Sequence, residues 1–106
     1  NMIHIAPWEA ALALLEEAGR VLRQGGVLFL YGPFRRGGRH TAPGNEAFDA
    51  YLRRRDPRWG VRDLETVSEV AAGHGLLPDE VVEMPVNNCS VVFRAQPTLR
   101  APRPPA

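Results

Sequence analysis

Arg35, Arg36, Arg39 and His40 crowd around Gly37-Gly38, and Arg53, Arg54 and Arg55 follow one another without a break. A guanidinium presents a planar fork of donors, so several on one loop could clamp a carboxylate or phosphate group of a substrate. All 13 basic residues are arginine and none is lysine, a pattern that nucleotide bias in the coding sequence also produces. Arg53 to Arg55 sit where a helix is expected to end, and there the helix dipole alone favours them. Tyr31 closes an apolar run and offers a ring to stack and a hydroxyl to aim. The single cysteine, Cys89, can form no intramolecular disulfide, and without a visible partner base it lacks the setting of a nucleophile.

The elements that must position these groups are legible from periodicity. Pro7 stands at a helix start, where its missing N–H costs nothing. Behind it Ala11, Leu12, Leu15, Ala18 and Leu22 recur at helical steps, ending at Gly25-Gly26. Val27 to Tyr31 is continuously apolar and reads as a strand buried on both faces, as in a parallel sheet covered by helices. Pro33 to Gly44 has no periodicity and reads as a loop at the carboxyl end of that strand. Asn45 is expected to cap a helix with Phe48, Tyr51 and Leu52 on its inner side, stopped by Asp56-Pro57. Asp63 caps another, with Leu64, Val67, Val70 and Ala71 inward. Glu80 to Val86 and Ser90 to Phe93 read as strands joined by Asn87-Asn88, a link so short that the pair must be antiparallel. Residues 96–106, with four prolines, are expected to be a disordered tail to a domain spanning 1–95.

At 106 residues there is room for one domain, which excludes a two-domain enzyme. A composition of 44% hydrophobic and 24% charged residues with a net charge of +1 disfavours disorder and broad polyelectrolyte behaviour. No apolar run approaches the ~20 residues a membrane helix requires, and the start lacks the layout of a signal peptide. A cytosolic location is expected. Asn1 is not a translation start, so the chain is expected to be cut or excerpted from something longer.

Six blocks carry a family resemblance: Asn1-Met2-Ile3-His4-Ile5-Ala6-Pro7-Trp8, Leu30-Tyr31-Gly32-Pro33-Phe34, His40-Thr41-Ala42-Pro43, Asn45-Glu46-Ala47-Phe48-Asp49, residues 56–63 and residues 82–88. Together, over roughly positions 1 to 95, they resemble a small family of S-adenosylmethionine-dependent methyltransferase-like proteins long filed as a domain of unknown function. The resemblance implies an α/β fold, the carboxyl-terminal half of a Rossmann-like class I methyltransferase sheet, ending in an antiparallel β-hairpin. It also implies S-adenosylmethionine as cofactor. The glycine-rich turn and acidic strand end that hold the donor in that superfamily have no match here, since Gly25-Gly26 ends a helix and Gly37-Gly38 lies between arginines. Cofactor binding by this chain alone is therefore not expected.

By the same resemblance, Asn1, Met2 and His4 fall at the end of the fourth strand, beside the transferred methyl group. Asn1 and Met2 are then candidates for cofactor contact, and His4 and Tyr31 for catalysis. Arg35, Arg36 and His40 become candidates for substrate binding. A histidine between isoleucines is also the pattern of a hydrogen-bonded structural residue. The rival expectation is a non-catalytic module that uses loop 35–40 for an anionic ligand or nucleic acid. An open, apolar sheet edge at residues 27–31 further implies self-association.

Overall fold

Pro7 sets the start of the first helix from just outside it, as its N-cap residue with φ −58°. A computed structural model describes residues 2–85 and 88–96. In chain order these form α1 (Trp8–Val21), β1 (Val27–Gly32), α2 (Pro43–Arg55), α3 (Leu64–Gly73), β2 (Leu76–Met84) and β3 (Asn88–Ala95). Asn1, Val86, Asn87 and the tail from 97 lie outside the described residues, so neither the hairpin turn nor the tail expectation can be placed.

The inner stripe of α1 is Ala11, Leu15 and Ala18, as the periodicity requires, with Leu12 and Leu22 half-buried beside it. The helix stops at Val21, and the chain then turns through Gly25 at φ +83°, a conformation that suits glycine. That turn is tied to the sheet: Gly25 N–H donates to the Ala95 carbonyl and Ala95 N–H to the Gly26 carbonyl, both at 2.8 Å.

The sheet order is β1-β3-β2, with β3 antiparallel to both neighbours. β1 and β2 therefore run parallel to each other but do not touch. The expectation of a strand buried on both faces is corrected here. Leu28 and Leu30 pack on the core while Val27, Phe29 and Tyr31 are exposed, because among the described residues helices cover only one face. On that side of the sheet Phe29 pairs with half-buried Val92, and Tyr31 with Ser90, which is buried between Tyr31 and Val82. The hairpin strands are antiparallel as expected but longer than read. β2 begins at Leu76 because Pro78, in an outer strand with a register shift between Pro78 and Glu80, is tolerated there.

On the covered face, Ala11, Leu15, Val67 and Ala71 of the helices meet Leu76, Val91 and Phe93 of the sheet, with Phe34 beneath. The two helices approach closely at Gly19, where a Cβ would stand 2.5 Å from the His74 carbonyl oxygen. α2 starts earlier than expected: Ala42 is its N-cap and Pro43 its first residue, so Asn45 lies inside the first turn and its amide donates to Thr41 Oγ1 at 2.9 Å. Asp63 does stand at the N-cap of α3, but its side chain makes no capping bond. Among the described residues no helix is long and apolar enough to cross a membrane.

Candidate functional site

The carboxyl end of β1 meets the turn at residues 2–6 along the open edge of the sheet. Between them lies a groove of about 380 Å³ lined by Met2, Ile3, Leu14, Leu28, Phe29 and Tyr31. Tyr31 is 38% exposed and Met2 55%, so both face this opening, while Gly32, Pro33 and Phe34 bury the chain directly after it. Among the described residues its lining side chains are apolar except for the Tyr31 hydroxyl.

His4 sits beside the groove but is closed in, with 0% exposure. Its Nδ1 accepts the Arg62 N–H at 3.0 Å, its carbonyl accepts the Gly60 N–H at 2.9 Å, and its ring stands edge-on to Phe34 at 4.8 Å. The Nδ1 contact places the neutral ring's proton on Nε2, which is buried without a partner among the described residues. Burial foremost, aided by the Arg62 guanidinium, lowers the imidazole to about 3 from an ordinary 6.5. The ring is therefore neutral at pH 7 and anchors the turn at residues 2–6 to the segment 60–62.

Arg62 tightens the same junction. Its Nε donates to the Ile3 carbonyl at 3.0 Å and its Nη2 to those of Ala6 and Arg58 at 2.7 and 2.9 Å, with the guanidinium over the Trp8 ring. Beside it lies a residue that sequence reasoning passed over. Asp49, on the inner face of α2, accepts the Val61 N–H at 2.8 Å and both of its oxygens lie 3.1 Å from Arg53 Nε. Burial pushes its carboxyl up, but the Val61 bond and Arg53 outweigh this and hold it below the usual range. Gly60 leaves room for it, since a Cβ there would stand 3.0 Å from Asp49 Oδ1. The only signal was a buried-side polar pair, Asn45 and Asp49, four residues apart on one helical face.

The substrate-binding candidates separate. His40 turns inward, its Nε2 3.4 Å from Asp49 Oδ2. Arg36 is drawn to Glu83 on β2, and its backbone pairs with Arg39 across the Gly37-Gly38 turn. Arg35 donates to the Gly38 carbonyl at 2.6 Å and lies 3.4 Å from Asp63. The three are thus not one clamp: each faces a different partner within the chain. Asn1 lies outside the described residues.

Residues 1–95 match a family described as a protein of unknown function, DUF938. The chain belongs to the DUF938 family. Solved structures similar to this DUF938 chain give its fold. CalO1, a methyltransferase in calicheamicin biosynthesis in its SAH-bound form, is 17% identical, with a TM-score of 0.69 over 87% of the DUF938 chain and 27% of its own. An O-methyltransferase family protein from Burkholderia thailandensis is 15% identical, with a TM-score of 0.69 over 89% of this chain and 28% of its own. LepI in complex with SAM is 20% identical, with a TM-score of 0.70 over 89% and 24%. The DUF938 chain thus has the fold of one part of a class I methyltransferase and spans about a quarter of the length of these structures. Its groove does not fit a whole S-adenosyl donor. That molecule brings an amino group, a carboxylate and ribose hydroxyls, whereas the groove's described lining contains no charged side chain.

Proposed function

We propose that the complete protein transfers a methyl group from S-adenosylmethionine to a small-molecule or macromolecular acceptor, and that this chain forms only part of the site. The observation that carries the reading is the sheet: β3 returns antiparallel between β1 and β2, in a fold that superimposes on methyltransferase structures at TM-scores near 0.7. Methyl transfer is an in-line displacement, so the protein's part is to hold two groups in line and, for some acceptors, to remove a proton. In this reading Asn1 and Met2 border the donor, and Tyr31 aims its hydroxyl at the acceptor from the end of β1. His4 is a positioning residue: buried and neutral, it fixes the course of the residue 2–6 turn.

Calorimetric titration of S-adenosylhomocysteine into this chain, and into one extended upstream to the start codon, tests the reading. Binding by the extended chain supports it. Binding by neither, with both well folded, overturns it and leaves a fold without its cofactor. Loop 35–40 as a nucleic-acid surface has less in its favour, since Arg35 and Arg36 are engaged by Asp63 and Glu83. Nucleic-acid binding would also have to weaken steeply with salt.

A further inference from the structure

Beyond β1 the chain pairs with the entry to α3: Arg35 N–H donates to the Arg62 carbonyl at 2.9 Å and Leu64 N–H to the Arg35 carbonyl at 2.8 Å. This crossing gathers Trp8, Arg35, Arg53, Arg62, Asp63 and Thr66 around a pocket of about 180 Å³. Three guanidiniums therefore line it against one carboxylate. Arg35 is paired with Asp63 at 3.4 Å and Arg53 with Asp49 at 3.1 Å, so the excess positive charge at the pocket is that of Arg62.

Two features suggest that the pocket is incomplete without a ligand. Arg62 is fixed by three neutral carbonyl oxygens and forms no ion pair with any carboxylate among the described residues, so its charge is oriented but not neutralised. Arg35 Nε and Asp63 Oδ1, both buried, stand 3.4 Å apart and neither has a hydrogen bond. Buried donors and acceptors ordinarily have partners. The uncapped first turn of α3 opens at the same place and adds the positive end of its dipole. The volume falls below the roughly 300 to 1,000 Å³ of sites that enclose a whole drug-sized ligand, so it suits a head group.

We propose that this pocket binds the oxyanion group, carboxylate or phosphate, of a small molecule. Arg35, Arg53 and Arg62 supply the charge-assisted donors, Thr66 a hydroxyl at the rim and Trp8 an aromatic wall. The site does not depend on methyl transfer: it would stand if the cofactor titration failed, and fall without affecting that titration.

The test follows the Trp8 indole and the arginine Nε–H resonances of this chain by NMR during titration with sodium phosphate, sodium benzoate, or sodium chloride at matched ionic strength. Saturable shifts of Trp8, Arg35, Arg53 and Arg62 with phosphate or benzoate, absent with chloride, support the proposal, and the tighter probe identifies the group. R35Q and R53Q should each weaken binding about tenfold, the loss of one charge-assisted bond. R54Q, on the same helix but outside the pocket, should change it less than twofold. T66E, an acid in an exposed first-turn position that a helix tolerates, should abolish binding while the spectrum stays dispersed. Shifts that match those in chloride, or equal losses in R53Q and R54Q, would overturn it by showing diffuse charge in place of a site.

Discussion

His4 makes acid stability the sharpest test of the packing. In the unfolded chain its imidazole takes up a proton below pH 6.5, whereas in the folded chain burial delays this to about 3. The folded value is the lower one, so the contribution is intact above 6.5 and is lost as pH falls from 6.5 towards 3. Arg62 reinforces the shift, while the Asp49 charge opposes it. The linkage costs about 1.4 kcal/mol per pH unit, or about 2 kcal/mol by pH 5, a large part of the ~5–15 kcal/mol stability of a domain. His4→Asn keeps an oxygen to accept the Arg62 N–H but does not titrate. It loses the ring against Phe34, an offset independent of pH. Urea unfolding followed by circular dichroism at pH 7.5, 6 and 5 should therefore show the gap between the parent chain and His4→Asn closing by about 2 kcal/mol. Parallel stability curves, or an NMR titration placing His4 near 6.5, would refute the argument.

Other outcomes follow from the same packing. Asp49→Ala leaves the buried Val61 N–H without an acceptor and should lower stability by about 1–3 kcal/mol, read by urea unfolding at pH 7. Gly19→Ala should also destabilise, by about 1–3 kcal/mol in thermal melts despite better helix propensity, since its Cβ meets a backbone oxygen at 2.5 Å that cannot swing away. Burial raises the Cys89 thiol, so it should react with a thiol reagent far more slowly in the folded chain than in urea, as absorbance at the reagent's wavelength would report. We further propose that copies of this chain associate through the open sheet edge at β1. Phe29→Asp, at a position 59% exposed, should then shift sedimentation towards monomer without loss of helicity.

The helices and the final strand pair were legible because each is a local pattern. The apolar stripe of α1 and the valine-rich runs on either side of Asn87-Asn88 require no knowledge of distant residues. The start of α2 was misread because Asn45 is a good cap type while Pro43, two residues earlier, is a good first residue, and the chain used the proline. The apolar content of β1 was read correctly, but its cover on a second face is not among the described residues. The junction of His4, Asp49, Gly60 and Arg62 was invisible as a unit because its members come from three separate stretches of chain. His4 and Arg62 meet only because the residue 2–6 turn is laid against the segment before α3. The grouping of arginines in sequence pointed to loop 35–40, whereas the fold brings Arg35 together with Arg53 and Arg62 instead.

The place of β3 also sets an order of assembly. β1 is among the earliest elements in the chain, yet its only described partner is β3, the latest, and the pairs from Val27↔Arg94 to Gly32↔Cys89 close loops of roughly 55 to 70 residues. The β2–β3 hairpin is local and can form by itself, so the sheet grows from its far side inward, with β1 docking late. Until that closure, Leu28 and Leu30 have neither a strand beside them nor a core beneath. During synthesis the chain is therefore most prone to aggregate in the interval between emergence of β1 and arrival of β3.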